Sequence, residues 1–313
     1  MTQHLRVALL GGLNIVLDGV PLADFSSKKS PALLSYLITT GRTYSREALS
    51  GLLWGDSAEE RARASLRTTL WDLRQHLPDY VVADRNTVSF DQEAPYWLDV
   101  EVFRASLENV LGSGQQSGDP ESLLTEQQVA GVEEGLSLYR GDFLAGFYIS
   151  EAPSFESWVL RTREWTRQLA IQGWHRLVVH YTAQKAYLRG IDAATQLLKI
   201  APWQEETHRR LMRLLTLDGQ RGAALAQYES CREMLRDQLG VEPTTETRLL
   251  YNRLRSGKAL ELPEGASSSR DRVHVGPDSY PLPTREEPLL GRDSEMSQLQ
   301  KLLSGPESRL TAL

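Results

Sequence analysis

The sequence predicts a mainly α protein with small β-sheets, in which a mixed N-terminal module precedes an all-α domain of helical repeats. Three observations predict it. Residues 5–90 run in the order sheet, three helices, hairpin. Residues 121–254 carry almost continuous helical periodicity. Within them, glycine, paired alanines and proline recur in two successive segments.

The elements follow in order. Leu5 to Leu10 and Leu13 to Leu17 are short apolar runs split by Gly11-Gly12, and Asp18-Gly19 before Val20-Pro21-Leu22 is a hairpin signal. Ser30-Pro31 predicts a helix start with proline at its first position. Leu33, Leu34, Leu37 and Ile38 recur at helical spacing, and Gly41 closes that helix. Ser45 predicts the cap of a second helix, with Ala48, Leu49, Leu52 and Leu53 on one face. A third helix is predicted from about Ala58 to Leu77, striped by Ala62, Leu66, Leu70, Leu73 and Leu77 and stopped by Pro78. Val81-Val82, Asp84-Arg85-Asn86-Thr87, Val88 and Phe90 read as a second hairpin. A hairpin directly after a third helix is the layout of a winged helix-turn-helix, here over residues 1–97.

From Leu98 the pattern changes. Asp99 predicts the cap of a helix through Leu111, followed by a flexible loop, Gly112 to Gly118. Tyr187-Leu-Arg-Gly190, Ala193-Ala194, Leu197-Leu198 and Ala201-Pro202 form one repeat. Leu217-Asp-Gly219, Ala223-Ala224, Tyr228, Leu235 and Gly240-Val-Glu-Pro243 form the next. Glycine at the inter-helix turn, small residues at crossings and proline after the second helix make a tetratricopeptide-like pattern. The spacing is irregular, so these are helical hairpins rather than strict repeats, over residues 98–255. Residues 256–286 read as a linker, and 287–313 as the start of a further domain or a tail.

Composition excludes several classes. The net charge is -6, which argues against non-specific coating of nucleic acid but not against one basic surface. One cysteine, Cys231, permits neither an intrachain disulfide nor a cysteine-based zinc site. No stretch approaches the ~18 apolar residues of a membrane span, and Met1 to Leu10 lacks a signal-peptide core. The expectation is a cytoplasmic protein with no membrane contact. No catalytic constellation, metal-ligand cluster or complete phosphate-binding loop appears, so neither an enzyme nor a cofactor is expected. His175 and His180 do not share a helical face, and the aromatics at 158, 165, 174, 181 and 187 read as packing core.

The third helix carries the sharpest functional signal. With its leucines inward, Arg61, Ala64, Ser65, Thr68, Trp71, Asp72 and Gln75 project away from the core at about 100° per residue, with Arg63, Arg67 and Arg74 on the flank. Small residues permit close approach to a major groove, and arginine can bond guanine bidentately or hold a phosphate. A solvated amphipathic helix has the same periodicity. Context weighs against that reading: Lys28 and Lys29 precede the first helix, Arg46 opens the second, and Arg85 and Asn86 occupy the wing tip. Asp72 is a complication, since a carboxylate facing DNA is repelled by phosphate unless it pairs with a neighbouring arginine or accepts from a cytosine amine.

Leu5-Arg-Val-Ala-Leu-Leu-Gly-Gly-Leu13, the lysine pair before Pro31-Ala-Leu-Leu-Ser-Tyr-Leu37, Leu52-Leu-Trp-Gly55 and Ala64-Ser-Leu-Arg-Thr-Thr-Leu-Trp-Asp-Leu-Arg74 resemble the SARP-type bacterial activators. Tyr96-Trp-Leu-Asp-Val100, Tyr139-Arg-Gly-Asp-Phe-Leu144, Trp158, Gly219-Gln-Arg and Leu239-Gly-Val-Glu-Pro243 resemble the bacterial transcriptional activation domain joined to them. The resemblance covers about residues 1–255. It implies binding to direct repeats near a promoter -35 region, a dimer on DNA, and contacts from the helical domain to RNA polymerase, including its sigma factor. It implies DNA contacts from Arg63, Arg67, Thr68 and Arg74, with Arg46, Lys28, Lys29 and Arg85 supporting; Trp71 and Asp72 depart from the family's small polar or basic residues. Pro288-Leu-Leu-Gly-Arg-Asp293 through Arg309-Leu-Thr-Ala-Leu313 resembles the run-up to a signal-transduction ATPase domain, so the expectation is the front of a larger regulator or a relic lacking its ATPase, with ATP binding only in a longer chain. The competing expectation is a protein-interaction scaffold whose nearly charge-balanced N-terminal domain has little DNA specificity.

Overall fold

A computed structural model describes residues 4–116 and 123–257. The end of the expected loop at 117–118, the linker from 258 and the ATPase-like segment lie outside the described residues. The chain is mainly helical with two small sheets: a winged helix-turn-helix followed by an all-α, tetratricopeptide-like array.

The first sheet is built from β1 (Leu5–Ala8), β2 (Asn14–Leu17) and β3 (Val20–Pro21), successive antiparallel neighbours. Asp18 and Gly19 both have positive φ, 52° and 82°, the signature of the tight turn that matches strand twist. A fourth strand, β7 (Tyr96–Leu98), pairs parallel to β1, with Leu5 opposite Tyr96. The sequence had suggested only local hairpins here. Leu5, Val7 and Ile15 point into the core.

Helix α1 (Lys29–Thr40) buries every residue from Ser30 to Ile38, so it is the central post of the module. It starts two residues earlier than the serine-proline signal suggested, which puts Pro31 third; Gly41 ends it as expected. Ser45 caps α2 (Arg46–Trp54) by accepting from Ala48 N. Leu49, Leu52 and Leu53 are buried, but Ala48 is exposed. Helix α3 (Glu59–His76) buries the whole expected stripe, Ala62, Leu66, Leu70 and Leu73, with Leu77 just beyond its end. Each buried leucine contributes roughly 1.5–3 kcal/mol. The wing is β5 (Val81–Ala83) and β6 (Thr87–Phe90), extended on the other side of β6 by the two-residue β4 (Tyr44–Ser45).

The helical part comprises α4 (Asp99–Gln116), α5 (Glu126–Leu138), α6 (Pro153–Ala183), α7 (Tyr187–Ile200), α8 (Glu205–Leu217), α9 (Arg221–Leu239) and α10 (Thr245–Arg255). Thr125 and Gln128 close a reciprocal capping box on α5. Helix α4 continues to Gln116, through residues expected to be loop. Gly190 lies inside α7 against Leu214 rather than at an inter-helix turn; Gly219 does sit at one, between α8 and α9. Ala193, Ala194 and Ala224 are buried where neighbouring helices pack. Trp158, Trp165, Trp174, Tyr181 and Tyr187 all pack into or against the core. Cys231 is fully buried, and burial pushes its thiol up to about 12, so it is an inert core residue.

Residues 139–152 break the helical run and carry the junction between the two parts. Leu144 N donates to Leu9 O at 2.7 Å, Gly11 N donates to Asp142 O at 3.1 Å, and Leu10 and Phe143 form an antiparallel bridge. The Asp99 carboxylate, fully buried at the start of α4, accepts from Leu9 N and Leu10 N at 2.9 Å. Arg163 of α6 donates to the carbonyls of Phe143 and Leu144, both at 2.7 Å, and Arg167 pairs with Asp142 at 2.8 Å. Trp158 sets its ring against Tyr36 of α1 at 4.9 Å. The winged helix is therefore anchored to the helical array through backbone, carboxylate and aromatic contacts together.

Candidate nucleic-acid interface

The leucine stripe fixes which face of α3 looks outward. Arg61, Arg63, Ala64, Arg67, Thr68, Trp71, Arg74 and Gln75 are exposed there, and Ser65 is half-buried. Trp71 keeps 62% of its surface open to solvent. Arg63 pairs with Glu59 one turn back. That exposed pair contributes little to stability and leaves Arg63 able to exchange partners. The side chains of Arg61, Arg67 and Arg74 carry no hydrogen bond or ion pair among the described residues.

Asp72 does not project away from the core. It is 3% exposed, and its carboxylate accepts from Ser26 N and from the hydroxyls of Ser26 and Ser30. The segment that leads into α1 crosses α3 at this point and covers it. Burial alone would raise its carboxyl, but the bonds from Ser26 and Ser30 outweigh burial and hold it below the ordinary range. The acidic group that opposed a DNA-facing helix is thus removed from the exposed face.

The supporting cations divide into two kinds. Lys28 and Arg85 are exposed, as is Asn86 at the wing tip. Lys29 is otherwise engaged: its ammonium donates to Leu53 O at 2.7 Å and lies 4.7 Å from the Trp54 ring. That contact terminates α2 with a positive charge. Arg46 donates through Nε and Nη2 to Asp84 O, at 3.0 and 2.7 Å, and so braces the wing turn against α2. The Asp84 carboxylate closes the same turn by accepting from Thr87 N, Asn86 N and the Thr87 hydroxyl, which hold it below its ordinary range. Lys29 and Arg46 therefore position elements; Lys28, Arg85 and the α3 arginines are the available cations.

Sequence reasoning missed the neighbour of this face. Residues Tyr148 to Glu151, from the junction segment, lie across a cleft from Ser65, Thr68 and Lys28. The sequence had read as helical almost throughout 121–254, and Tyr139 to Leu144 stood out only in the resemblance to the activation domain, so nothing placed this segment beside α3.

Sheet, three helices and wing, joined to an all-α array, make a two-part architecture. Residues 98–255 match the bacterial transcriptional activator domain, and the chain belongs to that family. It is 26% identical over 302 residues to the regulatory protein AfsR of Streptomyces coelicolor, covering 96% of this chain but 29% of that one. It is 23% identical over 300 residues to the transcriptional regulatory protein MoaR1 of Mycobacterium bovis, covering 86% and 91%. Among solved structures, Mycobacterium tuberculosis EmbR in complex with a low-affinity phosphopeptide has the same fold, with a TM-score of 0.59 at 21% identity over 83% of this chain and 67% of that one. The chain thus spans about three-tenths of the AfsR relative. No described helix is long and apolar enough to cross a membrane.

Proposed function

We propose that this chain is a sequence-specific, DNA-binding transcriptional activator of the cytoplasm. It binds direct repeats near a promoter -35 region, as a dimer on DNA, and recruits RNA polymerase through its helical part, sigma factor included. In this reading residues 1–97 bind DNA and 98–255 bind protein.

One observation carries the reading: the outward face of α3 holds three unengaged arginines and small polar residues, while its only carboxylate beyond the first turn is buried by Ser26 and Ser30. We assign base and phosphate contacts to Arg67, Thr68, Arg74 and Ser65, with Arg61 and Arg63 near the start of the helix. Lys28 and Arg85 hold phosphates, and Asn86 touches the backbone beside the wing. Lys29 and Arg46 serve the interface by fixing α2 and the wing. Trp71 offers an apolar ring edge to a thymine methyl.

The test is a salt titration of binding to a DNA fragment selected by the chain from a random pool, with scrambled DNA as control. Preferential binding whose log affinity falls linearly with log salt is expected, with a slope that counts the phosphates contacted. Equal and weak binding to both DNAs would instead favour a protein scaffold.

A further inference from the structure

The helical part also reaches the DNA side of the molecule. Phe147 and Ile149 are anchored. The Phe147 ring lies 6.5 Å from that of Phe155, and Ile149 is 4% exposed, with its N–H donating to Glu156 Oε1 at 2.9 Å. Ala152 beyond them is 1% exposed. Tyr148 between these anchors is 62% exposed. A large side chain held open to solvent by buried neighbours is a presented group, because its backbone cannot relax to hide it.

Across from it a cleft of about 700 Å³ separates this segment from α3 and the start of α1. Its walls include Lys28, Ser65, Thr68, Tyr148, Ser150 and Glu151. We propose that the cleft seats the sugar–phosphate backbone of the DNA strand bordering the groove that α3 enters, with Tyr148 of the helical part as a direct backbone contact. This rests on the DNA-reading role assigned to α3.

The chemistry fits that occupant. Ser65 and Thr68 belong to the face of α3 assigned to the groove, so the strand beside that groove passes the mouth of the cleft. Serine, threonine, tyrosine and lysine are the side chains that hold phosphate oxygens and sugars, and such contacts fix orientation without reading sequence. A phosphate meets the Lys28 ammonium and the hydroxyl donors, and a deoxyribose packs on the Tyr148 ring. Glu151 is the cleft's only acidic side chain and opposes a phosphate. Burial lowers the pKa of the Lys29 ammonium, and Glu151 is close enough to offset part of that. Contact from the helical part then makes DNA binding depend on how that part is docked to the winged helix.

The experiment titrates the full chain onto its selected DNA fragment and maps contacts by phosphate-ethylation interference. Tyr148→Ala is expected to weaken binding about tenfold, equivalent to ~1.4 kcal/mol, with the salt slope unchanged because no charge is lost. Lys28→Ala should lower that slope by about one. Glu151→Gln should tighten binding two- to fivefold, a gain that misfolding cannot produce. Interference should vanish at the same one or two phosphates beside the α3 groove in the Tyr148→Ala and Lys28→Ala chains. If Arg67→Ala weakens binding while Tyr148→Ala and Glu151→Gln bind as the parent does, the cleft assignment is overturned and the α3 assignment stands. If the parent shows no sequence preference, both fall.

Discussion

The Ser30 hydroxyl at the start of α1 donates to the Asp72 carboxylate on α3, and Ser26 adds its N–H and hydroxyl from the same side. One buried carboxylate thereby ties the segment entering the central helix to the helix that faces outward. It also clears the exposed face of negative charge.

Removing that tie should loosen the module. Asp72→Ala leaves the buried Ser30 hydroxyl without its acceptor, at about 1–3 kcal/mol, and frees the exposed Ser26 segment from α3, and should lower the melting temperature by several degrees. The carboxyl is held below its ordinary range in the folded state, so the unfolded chain binds the proton more readily. Its contribution is therefore complete above the unfolded carboxylate range and is lost as pH falls through the folded value. Urea melts of the parent and of Asp72→Ala should diverge near neutral pH and converge as the pH drops below about 4. A gap that persisted undiminished into strong acid would contradict this account.

Asp99 behaves in the opposite sense. Burial pushes its carboxyl up, and the bonds from Leu10 and Leu9 only partly offset that. A neutral isostere that still accepts should therefore be tolerated better than a truncation. Asp99→Asn is expected to melt closer to the parent than Asp99→Ala, which strands the buried N–H groups of Leu9 and Leu10. Equal losses in the two variants would mean that the charge itself holds the junction.

Much of this architecture was legible because local spacing dictates it. The leucines of α3 repeat at helical intervals, and all of them are buried. Ser45 announced its helix by cap chemistry alone. What escaped was long-range. Asp72 stands well round α3 from the leucine stripe, and the segment that covers it lies 42 and 46 positions away, so periodicity assigned it to solvent. The pairing of Leu5 with Tyr96 joins opposite ends of the module. Lys29 and Arg46 looked like phosphate contacts because charge is visible in a sequence, whereas the carbonyls of Leu53 and Asp84 that engage them are not.

The junction between the two parts depends on a close backbone approach at Gly11. Its φ is +95°, and a Cβ there would stand 2.9 Å from Arg140 Cβ and 3.0 Å from Arg140 C. Left-handed backbone penalises any side chain, and the contact with backbone atoms cannot be relieved by a rotamer change. Gly11→Ala should force apart the Gly11–Asp142 and Leu9–Leu144 backbone pairs and cost more than about 1 kcal/mol. Limited proteolysis should then cut between the winged helix and α6 faster than in the parent. An unchanged cleavage rate would show that the Asp99 and Trp158 contacts hold the junction alone.

Trp71 separates stability from recognition more cleanly than the arginines do. With 62% of its surface exposed, it contributes little to the core, so Trp71→Ala should leave the melting temperature within about one degree of the parent. It lies one turn after Arg67 and three residues before Arg74, on the outward face of α3. In the proposed DNA-reading role a ring at that place would meet base edges or a thymine methyl, and a lost base contact costs on the order of a mismatched base pair, about 1–3 kcal/mol. Affinity for the selected fragment should fall roughly 5- to 100-fold, binding to scrambled DNA should barely change, and the salt slope should be preserved. Arg67→Ala, by contrast, should lower the slope as well as the affinity if it holds a phosphate. A Trp71→Ala chain that binds both DNAs as the parent does would move base reading away from the centre of α3 and towards its first turns, around Arg61 and Ser65.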